Sequence, residues 1–295
     1  MVQYFFELSR MNTTQPLIKW GWLRALICFI AVLAIGFGMR YLNEPVNEFV
    51  KQQIDKSLVE FVASFITYTA TGAVIVFITW LCIKFIDRQT FKSMGFAING
   101  YANEAGMGLF TPLFLLSAGT LFLIATGNLS ITGINFQPTE LLLQLGFMLV
   151  VAFTEEIFTR GYLLNNMLQS MNKWLALLIS ALVFALFHLA NPDVTWVALV
   201  NILLAGLLLG LNYVYTQNLW YSIVFHFSWN FFQGAVLGYD VSGFKLPGIF
   251  SQSLNGSSFI TGGSFGFEGS FDCTVLLLIT IMLFYVGFER KYKAL

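Results

Sequence analysis

Charge is what this sequence has least of. Asp, Glu, Lys and Arg make up 10% of the 295 residues, where soluble domains carry roughly 25%, and so few charged groups could not cover a water-soluble globule of this size. The 15 basic and 15 acidic residues cancel, so no basic field gathers nucleic acid, and that class of partner is excluded. Cysteine is scarce too. Cys28, Cys82 and Cys273 are odd in number, fall in or beside apolar runs, and form neither a disulfide framework nor a C-x-x-C metal spacing; they read as small buried hydrophobes. No internal repeat and no low-complexity tract is present, which removes support for an inverted-repeat transporter. Nor does the opening Met1-Val2-Gln3-Tyr4-Phe5-Phe6-Glu7 supply the basic n-region of a removable signal peptide, so the first apolar segment is expected to be retained.

What the sequence has is apolar length. Hydrophobic residues reach 57%, and a bilayer core of about 30 Å needs about 20 such residues per helix. Eight segments can be drawn, roughly 23–42, 61–83, 107–126, 141–164, 174–190, 196–215, 219–237 and 274–288, of which the fifth and eighth are short and the fourth carries charge. The expected fold is therefore all-α, a polytopic transmembrane bundle of about eight spans in a single membrane-embedded domain, 1–295. Sorted by alternate loops, ten basic residues (Arg10, Lys19, Arg24, Lys84, Arg88, Lys92, Lys173, Arg290, Lys291, Lys293) face four (Arg40, Lys51, Lys56, Lys245). That asymmetry predicts a multi-pass protein of the cell membrane with both termini in the cytoplasm. The stretch 87–104 reads as an amphipathic cytoplasmic segment whose helical turn ends at Gly95. The Gly/Ser/Phe-rich connection 238–272 is expected outside, folded against the membrane surface around its Phe-rich patch, with no chemistry assigned to it.

Three apolar segments carry polar groups that membrane depth penalises, and each such group is a functional-site hypothesis by default. The fourth holds Glu155, Glu156 and Arg160, the fifth ends near His188, and the seventh holds His226 and Asn230; these are the only two histidines in the chain. Glu156 and Arg160 are i and i+4, so they share a helix face and can pair, whereas Glu155 is turned about 100° away, toward a cavity. The fourth and fifth segments meet in a short turn near 169–173, which places Glu155 and His188 at similar distances, roughly 21 to 23 Å, from it. His226 and Asn230 come out nearer the cytoplasmic end of their span, and a tilted helix or a turn starting below the membrane plane would bring them level with the others. A carboxylate and an imidazole flanking a water suffice for general acid-base hydrolysis, and a second imidazole with an amide can stabilise a tetrahedral oxyanion. Glu155, His188 and His226 could instead ligate zinc with a water in the fourth position, although an H-E-x-x-H helix is absent. Thr154 and Ser228 read as helix hydroxyls bonded to the preceding turn. The same cluster would also serve a non-catalytic membrane protein that binds a peptide or confers immunity.

Glu155-Glu156-x-x-x-Arg160, Phe184-x-x-x-His188 and His226-x-x-x-Asn230, in this order and each on its own span, resemble the three motifs of the CPBP intramembrane endopeptidases, the CAAX-processing and bacteriocin-processing family also called Abi. The resemblance covers about 140–237, the expected catalytic core. It implies Glu155 and His188 as activators of the attacking water, His226 and Asn230 as oxyanion stabilisers, and Glu156 with Arg160 as the supporting pair. It also implies a metal-free glutamate mechanism in preference to zinc, with no cofactor. The implied partner is a peptide or protein C-terminal substrate, of CAAX type and lipid-modified or of bacteriocin type, reached within the lipid bilayer.

Overall fold

The computed structural model describes residues 15–53 and 56–293. The retained start of the chain, read above from residues 1–7, lies outside them. Eight helical rods follow one another: α1 (Gly21–Gln53), α2 (Lys56–Leu81), α3 (Ala102–Ala125), α4 (Pro138–Leu168), α5 (Lys173–Phe187), α6 (Trp196–Thr216), α7 (Trp220–Phe231) and α8 (Phe271–Lys293). Six segments are long and apolar enough to cross a membrane: Gly21–Met39, Phe65–Asp87, Ala102–Ala125, Pro138–Leu168, Trp196–Thr216 and Phe271–Tyr292. The other two expected spans are shorter. α5 has 15 residues, about 22 Å at 1.5 Å each, and ends at His188 because the chain turns there toward Pro192. The 12 residues of α7 run on as a five-residue π-helix, Phe232–Val236.

Apolar side chains point outward as well as inward. Phe114 is 71% exposed on α3 and Met282 68% exposed on α8, an outer face suited to lipid rather than to water. The protein is an all-α polytopic bundle of a multi-pass membrane protein. Inside, α3 and α4 pack on α7, α5 and α8 pack on α6, and α2 packs on α1 and α4. The motif-bearing helices are thereby neighbours.

Between α2 and α3 the amphipathic segment forms a 3-10 turn, Phe91–Met94, that ends at Gly95 as the sequence predicts, with φ +106°. A Cβ at Gly95 would lie 2.4 Å from the Gln217 carbonyl oxygen, so glycine serves both the left-handed backbone and the close approach to the α6–α7 turn. Among the described residues, sheet is limited to an antiparallel ribbon, β1 (Leu129–Ile134) on β2 (Phe250–Leu254).

The long connection corrects an expectation. Much of its Phe-rich patch is packed into the bundle rather than laid on its outside: Phe265, Phe267 and Ser270 are buried, while Phe271 is exposed. Their burial replaces the expected interfacial position because α3, α6 and α8 leave an apolar socket there. Phe267 fills it against Gly119 of α3, where a Cβ would come within 2.2 Å of the ring.

Candidate active site

Just after Glu155 and Glu156, α4 changes from α-helix (Pro138–Glu156) to π-helix (Ile157–Leu164), then ends in one α-helical turn (Asn165–Leu168). Such π segments concentrate at functional sites because they re-aim side chains and release carbonyls from the ladder. Here the Thr159 carbonyl accepts a hydrogen bond from Ser180 Oγ of α5 at 3.2 Å, tying the two motif helices together.

The expected pair forms. Arg160 Nη1 donates to Glu156 Oε1 at 2.7 Å, and both side chains are fully buried. The guanidinium also donates to Thr159 Oγ1 at 2.9 Å and to the Gly206 carbonyl of α6 at 3.2 Å, and it sits 4.3 Å from the centre of the Phe184 ring. These partners reduce the cost of burying the charge. The same Glu156 oxygen accepts from His226 Nδ1 at 2.9 Å, so Glu156 and His226 lie at one level despite the different depths that counting residues along the helices gives them. The supporting pair is thus a buried triad, Arg160–Glu156–His226.

His188 is half-buried at the end of α5, and its Nδ1 bonds the Phe184 carbonyl at 2.8 Å. A carbonyl only accepts, so Nδ1 carries the proton. Both histidines therefore have Nδ1 committed and Nε2 available. A cavity of about 40 Å³ is lined by His188, His226 and Asn230 together with Ser242, Trp229 and Glu268. At 10–15 Å³ per water it has room for about three. No hydrogen bond to protein engages the Asn230 side chain among the described residues.

Glu155 stands slightly apart. It is half-buried, accepts a hydrogen bond from the Tyr68 hydroxyl of α2 at 2.6 Å, and does not line that cavity. Among the described residues no three His, Cys, Asp or Glu side chains gather so as to hold a metal ion. Ser228 does not make the expected bond to the preceding turn: its Oγ is buried with no hydrogen-bond partner among the described residues.

The order and spacing of these groups coincide with a recognised domain. Residues 137–232 match the family model of the type II CAAX prenyl endopeptidase Rce1-like domain. The chain carries an Rce1-like domain. The match spans about a third of the chain and takes in α4 to α7, consistent with a CPBP-family intramembrane protease, and the Rce1-like family implies a hydrolase of peptide bonds. No curated protein and no solved structure matched the chain.

Sequence reasoning missed Glu268, Ser242, Trp229 and Tyr68. The carboxylate of Glu268, outside the Rce1-like domain, accepts from the Trp229 indole at 2.9 Å, the Ser242 backbone N–H at 3.0 Å and the Ser242 hydroxyl at 2.8 Å. Burial pushes this carboxyl above its usual range, and the Ser242 bonds, the charge of His188 and the Trp229 bond oppose that shift. Only the isolation of one acid in an apolar Phe-Gly-Phe-Glu-Gly run signals it in the sequence.

Proposed function

We propose that the protein is an intramembrane endopeptidase that hydrolyses a peptide bond near the C-terminus of a membrane-borne substrate, of the CAAX type implied by its Rce1-like domain. The observation that carries this reading is that His188, His226 and Asn230, from two of the three motifs, line one cavity of about 40 Å³ inside the bundle. Residues 140–237 form the catalytic core of a single domain. Glu155, with Oε1 held by Tyr68 and its other oxygen open, and His188 through Nε2 take a proton from water. The resulting hydroxide adds to the scissile carbonyl. The oxyanion receives hydrogen bonds from the Asn230 amide and from His226 Nε2, a donor when the ring is an imidazolium with Glu156 as counter-charge. Return of the proton to the leaving nitrogen as the C–N bond breaks completes hydrolysis. No cofactor enters.

The test is cleavage of C-terminal peptides with and without a prenylated cysteine by purified protein, wild type beside Glu155→Gln, each with and without a chelator. Wild type is expected to cleave with or without chelator, and Glu155→Gln to lose about 10²- to 10⁴-fold, the scale of general acid-base catalysis. Normal cleavage by Glu155→Gln overturns the base assignment, and cleavage lost to chelator and regained with zinc overturns the metal-free one. Binding without cleavage by wild type makes the protein a peptide-binding or immunity protein.

A further inference from the structure

The cavity has a wall that none of the three motifs provides. Glu268 sits on the connection between α7 and α8 and lines the space together with His188. Its position is over-determined. Asn201 of α6 donates to the Glu268 and Ser270 carbonyls, each at 2.7 Å, and accepts from Thr274 Oγ1 at 2.6 Å. Ser242 adopts φ +50°, a region that a non-glycine residue seldom occupies without a compensating role, and in it both the N–H and the hydroxyl of Ser242 reach one Glu268 oxygen. Gly266, two residues before, has φ +98° and would place a Cβ 1.9 Å from the Asp240 carbonyl oxygen. Strained backbone and close packing thus aim this carboxylate at the cavity.

All three hydrogen-bond donors to Glu268 are neutral, and no salt bridge to it is formed among the described residues. A buried carboxylate without a cation is costly. His188 shares the cavity with it and becomes a cation on taking the proton from water. An interaction present in that state and absent from the neutral ground state accelerates the chemical step without tightening substrate binding.

We propose that Glu268 is a positioning residue of the hydrolytic site, held by Ser242 and Trp229 so that its carboxylate orients His188 and stabilises the imidazolium formed when His188 removes the proton from water. This rests on the hydrolase reading above and extends the site beyond the Rce1-like domain to the α7–α8 connection.

The experiment pairs Glu268→Gln and Glu268→Asp with two readouts. In cleavage of a prenylated peptide, Glu268→Gln is expected to lower kcat at least tenfold with KM within twofold, and Glu268→Asp to recover part of the loss. In ¹⁵N-histidine NMR, simplified by there being two histidines in the chain, Glu268→Gln is expected to move the His188 ring resonances and leave those of His226 in place. A kcat within twofold of wild type overturns the proposal. So does loss of kcat, KM and thermal stability together with unmoved His188 resonances, which marks a merely structural carboxylate. If wild type cleaves nothing, or Glu155→Gln cleaves normally, it is the hydrolase reading that fails. The His188 resonances then still decide the coupling, and their failure to move overturns it.

Discussion

Glu156 joins α4 to α7 through a single buried carboxylate oxygen. Its Oε1 takes hydrogen bonds from Arg160 and His226, so removing either partner leaves charge in a dry interior. Arg160→Ala is expected to cost about 3–5 kcal/mol, the scale of breaking a buried ion pair, and to lower both purified yield and activity; normal yield with normal cleavage would show that the pair is dispensable. The i,i+4 spacing made this pairing legible in the sequence, and so did the confinement of both histidines to apolar helices. Glu155 was legible as the carboxylate on the other face, but its Tyr68 partner was not, because a hydroxyl one span away leaves no mark on local pattern. Glu268 was illegible for the same reason: its environment is assembled from Trp229, Ser242 and Asn201, far apart in sequence.

At the scale of elements, most helices follow from apolar length, yet two departures come from what periodicity cannot register. In the π segment of α4 every residue from Ile157 to Leu164 is buried, so no polar face exists to reveal the change of period. The α7–α8 connection looked interfacial because Phe, Gly and Ser suit a membrane surface; the socket that buries Phe265 and Phe267 is a property of α3, α6 and α8. Gly119 tests that socket. With a Cβ 2.2 Å from the Phe267 ring, Gly119→Ala forces the ring and the adjoining Glu268 to shift. Since misplacement by about 1 Å can cost up to roughly 100-fold in rate, kcat is expected to fall while the protein still inserts and purifies. An unchanged kcat would mean that the connection does not shape the site.

For the whole molecule, the Rce1-like domain is one part of a larger bundle. α1 and α2 lie outside the family match yet are fastened to it: Arg24 of α1 pairs with Asp87 beyond α2 and donates to Gln169, just after α4, at 2.7 Å. Three helix ends therefore meet at one end of the bundle, the end that the count of basic residues predicts to face the cytoplasm. Reporters fused to the N- and C-termini are expected to be accessible from that compartment in both cases; opposite accessibility would reject the eight-segment topology. The claim on which everything else depends is that side chains from α5 and α7 form one hydrolytic centre with Glu155. Its most direct measurement is kcat for a prenylated C-terminal peptide in His188→Gln and Asn230→Ala. Both are predicted to fall by about 10²- to 10³-fold, the scale of losing a transition-state contact, in proteins as stable as wild type. Two variants that cleave within twofold of wild type would contradict it.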